Sequence, residues 1–134
     1  MDPLRRLLFG SGRLPDDLRA ELAREDLVVL EEGLMGSITL RHYRAPGKRS
    51  SWKKQAVSGA IAVTAHRLVV WAGGAKNIDI PRTDPSRTAI TITTDRPDRI
   101  CFAYDAARFD PSRSGQVEVR FRTTRAPQIL RALI

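Results

Sequence analysis

The segment from residue 57 to residue 71 constrains the fold more than any other part of the chain. Bulky aliphatic side chains alternate with small ones up to Thr64, and a second alternating run follows the interruption at Ala65-His66. Two short strands joined by a turn produce this pattern. From Met35 onward, similar short alternating runs follow one another. The sequence therefore predicts a mainly β protein.

Seven predicted strands account for most of the chain after residue 35. Turn-forming residues at Gly73-Gly74, at 83–86 and at 95–98 separate several of them. Seven strands would expose sheet edges unless the sheet closes, so the sequence predicts a small, partly open barrel. The predicted strands cover about 35–44, 57–64 and 67–72, the runs at Ile78–Ile80, Ile90–Ile92 and Ile100–Tyr104, and residues 117–122.

Both ends of the chain carry helical patterns. We expect residues 1–13 to form a loosely held arm, followed by a helix that starts near Pro15 and ends near Arg24. The segment 14–31 should cover the small side chains of Ala60 and Ala62. A second helix from Pro127 carries an apolar stripe that is expected to plug the barrel mouth. This stripe consists of Ile129, Leu130, Leu133 and Ile134.

One motif resembles a known family. The resemblance is carried by Gly59-x-Ile61-x-Val63-Thr64-x-x-Arg67-Leu68-Val69-Val70, followed by Ile78-x-Ile80-Pro81. These runs resemble strands two to four of bacterial pleckstrin-homology-like (PH-like) and GRAM-like domains. The resemblance implies two orthogonal antiparallel sheets in a seven-stranded, partly open barrel, capped by a C-terminal helix. It covers residues 35–134, and residues 1–34 form an N-terminal helical extension.

Composition limits the compartment and the class of partner. The net charge of +8 and the pI near 10.7 favour polyanionic partners. The single cysteine, Cys101, excludes an internal disulfide. No apolar run approaches the roughly 20 residues that a membrane-spanning helix needs. We therefore expect a cytoplasmic protein, either free or peripheral at the inner face of the cytoplasmic membrane.

Positive charge is concentrated between residues 41 and 54, where no acidic residue interrupts it and two aromatic residues are interleaved. The resemblance places 45–56 in the loop that commonly receives anionic headgroups in PH-like domains. Trp52 is either an interfacial anchor or a residue folded back on the barrel. The predicted anion- or lipid-binding residues are Arg41, Arg44, Lys48, Arg49, Trp52, Lys53 and Lys54.

Three kinds of partner remain open at this point. An anionic membrane lipid fits the basic loop, and a protein partner or self-assembly fits a PH-like barrel. Single-stranded nucleic acid fits less well, because an aromatic content of 6% is thin for a stacking platform. In the remaining alternative, the loop is solvated and its charge binds nothing. The oligomeric state is left open.

The catalytic inventory is small. The sequence contains no glycine-rich phosphate loop, no nucleophile elbow and no metal-ligand cluster. His42 shares the phase of Ile38 and Leu40, which predicts an inward or rim position, and Cys101 lies in a strand as a small core residue. The sequence therefore predicts a non-catalytic binding module without a cofactor or metal.

Overall fold

A computed structural model describes residues 12–133, which form one antiparallel sheet of seven strands flanked by two helices. The expected arm (apart from residues 12 and 13) and Ile134 lie outside the described residues. Short 3₁₀ turns occupy Pro85–Ala89 and Ala106–Arg108. The elements are α1 (Asp16–Ala23), β1 (Leu27–Ala45), β2 (Lys48–Thr64), β3 (Arg67–Ala72), β4 (Ala75–Pro81), β5 (Thr91–Arg96), β6 (Arg99–Asp105), β7 (Ser114–Arg122) and α2 (Ala126–Leu133).

The first two strands are much longer than the sequence predicts. β1 begins at Leu27 instead of Met35, so it crosses the predicted boundary between the N-terminal extension and the strands after residue 34. The prediction of a loop over 45–56 is wrong, because Pro46-Gly47 is a tight turn and β2 begins at Lys48. Both faces of residues 48–56 are open to water, so this part of β2 lacks the apolar alternation that reveals a strand.

The hydrogen-bonded order of the sheet is β4-β3-β2-β1-β7-β6-β5. The mainly β class and the C-terminal helix are confirmed. The sheet is not a closed barrel, and the expected division into two orthogonal sheets is not observed in this part of the chain. Within residues 12–133, the strands form one sheet, and its edge strands β4 and β5 do not pair with each other.

The sheet curls around one main core. Ile78 and Ile80 of β4 belong to the same buried cluster as Phe102 of β6, although these strands lie far apart in the sheet order. The hydroxyl of Tyr104 on β6 donates to the carbonyl oxygen of Asn77 on β4 at 3.5 Å. The curl therefore brings the two ends of the sheet together without joining their ladders.

β7 follows its predicted alternation. Val117, Val119 and Phe121 are buried in the main core, as predicted. Arg122 is exposed, whereas Glu118 and Arg120 are half-buried on the outer face. Because the side-chain period of a strand is two, one buried face is enough to identify this element and its register.

Helix α2 packs against strands from both halves of the sheet. Ile129 and Leu133 are buried as predicted, while Leu130 is only half-buried. Arg82 and Arg87, from the connection between β4 and β5, donate to the carbonyl oxygens of the last turn of α2, and the Arg87 bond to Leu133 is 2.9 Å. Cationic donors at a helix C-terminus satisfy carbonyls that lack intrahelical partners.

Helix α1 covers the outer face of β2 and β3. Leu14 and Leu22 are buried with Ala60, Ala62 and Val69 in a second cluster. The prediction that the segment 14–31 covers the Ala60 and Ala62 face is therefore confirmed. Small side chains on β2 allow the helix to approach the strand closely, which excludes water from this face.

Arg67 ties helix α1 to the sheet. Its guanidinium lies 3.0 Å from carboxylate oxygens of Glu21, Glu25 and Asp79, and its side chain is 17% exposed. Burial disfavours its charge, but the hydrogen bond that Arg67 donates to Glu25 and the charges of Glu25 and Asp79 outweigh that penalty and raise the pKa of Arg67. This ion cluster holds α1, β3 and β4 together.

Candidate anion-binding site

All seven predicted binding residues lie on one two-stranded ribbon, the β1–β2 hairpin from Arg41 to Lys54, which we call the cationic hairpin. Its register is continuous from Leu34 opposite Gly59 to Ala45 opposite Lys48. Residues directly opposite each other share one face of an antiparallel pair. The opposed pairs are Thr39 and Lys54, Leu40 and Lys53, Arg41 and Trp52, Arg44 and Arg49, and Ala45 and Lys48.

The hairpin presents cations on both of its faces. Val57 and Ile61 of β2 point into the main core, so the period of two places Lys53 on the same side. By the same argument, Trp52 and Lys54 lie on the outer side, in phase with Ala60. A flat surface laid against either face would therefore meet only one row of charges.

A local irregularity in β1 reverses the expected position of His42. This residue has a left-handed φ of 51°, and the pairing of β1 with β7 shifts register between Arg41 and Arg44. The extra residue turns Tyr43 into the core and leaves His42 exposed. The predicted inward or rim position of His42 is therefore wrong.

The cationic hairpin has almost no compensating negative charge. The sequence contains no acidic residue between Glu32 and Asp79. Arg41 is the exception on the hairpin, because its Nε lies 3.2 Å from Oε1 of Glu118 on β7. Within residues 12–133, no ion pair or side-chain hydrogen bond is formed by the other five basic side chains, which are Arg44, Lys48, Arg49, Lys53 and Lys54.

Glu118 neutralises part of the outer face. Burial of this carboxylate favours its protonated form, but hydrogen bonds and charges from Arg120 and Arg41 outweigh burial and lower the pKa of Glu118. The carboxylate thus stays ionised between two arginines. Arg41 is consequently the least available of the predicted anion-binding residues.

Trp52 is 58% exposed on the outer face of the hairpin. The alternative in which this side chain folds back on the core is therefore wrong. A large apolar side chain beside Lys53 and Lys54 provides a surface that combines charge with an indole ring. Such a combination suits the boundary between water and an apolar phase.

A pocket of about 410 Å³ lies beside the hairpin on its core side. Leu40, Val117 and Phe109 form part of its apolar lining, and Tyr104 packs edge-on against Phe109 with ring centres 5.1 Å apart. Burial, and to a smaller extent the charge of Tyr43, raises the pKa of Tyr104 to about 12. The hydroxyl therefore remains a neutral donor over the physiological range.

The rim of this pocket is polar, but its charges are already paired. Lys76 lies 3.0 Å from Asp79, and Arg113 lies 3.2 Å from Asp110. These contacts reduce the positive potential at the rim relative to the open hairpin. The strongest attraction for an anion is thus on the hairpin instead of in the pocket.

Three arginines on the outer face were missed by sequence reasoning. Arg99, Arg120 and Arg122 surround a shallow groove of about 610 Å³ that also reaches Lys54. Each is paired with a carboxylate, namely Asp95, Glu118 and Asp98, respectively. Their exposed phase on β6 and β7 is visible in the sequence, but their approach to Lys54 depends on the distant pairing of β1 with β7.

The described residues bring together little chemistry beyond charge. Among residues 12–133, no group of three or more His, Cys, Asp or Glu side chains could hold a metal ion. Cys101 is free and buried, as predicted, and burial raises the pKa of its thiol, which disfavours the reactive thiolate. Neither helix in this range has the length and apolar character that a bilayer crossing requires.

Comparison with known proteins adds no relative. No protein-family model, curated protein or solved structure matches the chain. The similarity to PH-like domains therefore stays a prediction from the motif at residues 59–70.

Proposed function

We propose that this protein is a non-catalytic module that associates with anionic lipid surfaces through the cationic hairpin. The observation that carries the proposal is the set of five basic side chains on one exposed ribbon for which the described residues supply no paired carboxylate. Unpaired, exposed cations retain their hydration and their mobility, so a polyanionic surface attracts them at no cost of broken ion pairs.

The distribution of charge over both faces defines the docking geometry. Lys53 and Lys54 project to opposite sides of β2, so both reach a membrane only when the ribbon approaches it along its edge or tip. In an edge-on orientation, the exposed Trp52 lies beside Lys54 on the outer face, where its ring can reach the bilayer interface. The indole ring then supplies apolar contact where the lysines supply charge.

The expected affinity is low. Each basic residue near an anionic surface contributes about 1 kcal/mol, so five contribute about 5 kcal/mol. That energy corresponds to a dissociation constant of roughly 0.2 mM. Binding should therefore weaken steeply with salt, because exposed charges are screened over a Debye length of about 8 Å at physiological ionic strength.

Charge reversal at the hairpin tests the proposal. Lys53→Glu/Lys54→Glu should abolish co-sedimentation with vesicles that contain phosphatidylserine, without loss of the folded circular dichroism spectrum. The control is Arg24→Glu/Arg131→Glu, which makes the same change in net charge at exposed positions outside the hairpin. The control should retain most of the binding if location matters as well as net charge.

Two outcomes would contradict the proposal. Equal binding of the wild type and Lys53→Glu/Lys54→Glu would remove the hairpin as the lipid site. Tighter binding of a single-stranded oligonucleotide than of the vesicles, lost in the same variant, would assign the hairpin to nucleic acid instead of lipid.

A further inference from the structure

The cationic hairpin also contains an open strand edge. β3 pairs with β2 only from Gly59 to Val63, and the amide of Gly73 donates to the carbonyl oxygen of Ser58 at 3.1 Å. Within residues 12–133, no strand pairs with the edge of β2 that faces away from β1 between Lys48 and Val57. This part of β2 is therefore an open edge: β1 pairs with one side of it, and its other side has no neighbouring strand among the described residues.

The register identifies the backbone groups on this edge. The carbonyl of Ser58 points away from β1, because it accepts its hydrogen bond from the β3–β4 turn. In a regular strand, these directions alternate with a period of two. The pairing of β2 with β1 is unbroken from Gly59 to Trp52. The N–H and C=O groups of Trp52, Lys54 and Ala56 therefore point away from β1, in the plane of the sheet, at the open edge of β2.

We propose that the open edge of β2 takes up an extended, acidic peptide segment of a partner protein as an additional antiparallel or parallel strand. The outward-pointing backbone groups would supply the main-chain ladder, which is how sheet edges bind extended peptides. Lys53 and Lys54 flank the edge on its two sides, so acidic side chains at neighbouring positions of the peptide would meet a cation on either face.

Charge also determines which occupant fits. A second copy of this chain paired through the same edge would bring the lysines and arginines of the two hairpins together. Like charges opposite each other in a sheet are destabilising, and exposed lysines commonly prevent edge-to-edge association. The absence of acidic residues between Glu32 and Asp79 leaves this repulsion uncompensated. An acidic partner segment removes it.

The inference is independent of the lipid proposal, because it requires backbone donors as well as charge. Ala56→Pro removes one outward N–H without altering any charge, since Ala56 is exposed and its amide points away from β1. Ala56→Val is the matched control, which keeps the N–H and favours a strand. The probe is a fluorescein-labelled eight-residue peptide of valine with two adjacent glutamates at its centre, which project to opposite faces of an extended strand.

Fluorescence anisotropy should show binding of this peptide to the wild type and to Ala56→Val. Ala56→Pro should weaken it roughly fivefold or more, the effect of losing at least one hydrogen bond. Binding of Ala56→Pro to phosphatidylserine vesicles should stay unchanged, which separates loss of the edge from loss of charge. Equal peptide affinity for Ala56→Pro and Ala56→Val would overturn the proposal.

Hydrogen exchange of the wild type provides a test that does not depend on folding of the proline variant. In the free protein, the amides of Trp52, Lys54 and Ala56 should exchange faster than those of Lys53 and Gln55. Addition of the peptide should slow the first set selectively. Unchanged exchange at saturating peptide would show that the peptide binds elsewhere and would overturn the strand-addition model.

Discussion

Alkaline pH should destabilise this fold through one buried hydroxyl group. Burial raises the pKa of Tyr104 from 10.0 to about 12 in the folded state. A group with a raised pKa contributes stability that is complete below pH 10 and is lost as pH rises towards 12. The full shift in pKa corresponds to about 3 kcal/mol of stability, of which roughly 1 kcal/mol is lost by pH 11.

Tyr104→Phe isolates this effect, because it removes the ionisable group and keeps the ring that packs on Phe109. The lost hydrogen bond to Asn77 is long, at 3.5 Å, so the variant should have nearly wild-type stability at pH 8. Urea unfolding at pH 8 and pH 11 should show the wild type losing about 1 kcal/mol more than the variant. Equal losses would refute the assignment of a buried, neutral hydroxyl to Tyr104.

Two further substitutions test the docking of the helices. Ile129→Ala should lower the free energy of unfolding, measured by chemical denaturation, by about 2–5 kcal/mol. Leu130→Ala should lower it by less, because that side chain is half-buried. Equal, small effects of the two substitutions would mean that α2 is not held by its core face. Arg67→Gln should leave the carboxylates of Glu25 and Asp79 without their cation and cost about 1–3 kcal/mol. Hydrogen exchange in α1 should then increase more than in β7, and uniform exchange would argue against a local role for the ion cluster.

Strands with a clear apolar pattern were predictable from the sequence. β7 contains the predicted run 117–122 with its inward side chains in the predicted phase, because one buried face gives an apolar period of two. β3 occupies the predicted range 67–72 as a short apolar run buried on both faces, with Leu68 and Val70 in the main core and Val69 beneath α1. The apolar stripe of α2 was visible from its helical spacing, although the extent to which Leu130 is buried depends on packing.

The candidate site was only partly predictable. Its residue types were evident from charge, but residues 48–56 are polar on both faces, and no periodicity distinguishes such a strand from a loop. The open edge follows from where β3 ends along β2, which is a property of the pairing. The approach of Arg120 to Lys54 likewise requires contact between strands that are distant in sequence.

The sheet order has a consequence for the rate at which this protein folds. β1 to β4 and β5 to β7 are two runs of neighbouring antiparallel strands, and the pairing of β1 with β7 is the seam that joins them. Contacts such as that of Arg41 with Glu118 span 77 residues, so closing the seam costs far more chain entropy than forming any hairpin. We expect the seam to limit the folding rate, with substitutions at Leu40 or Val117 slowing folding and substitutions in the β3–β4 hairpin mainly accelerating unfolding.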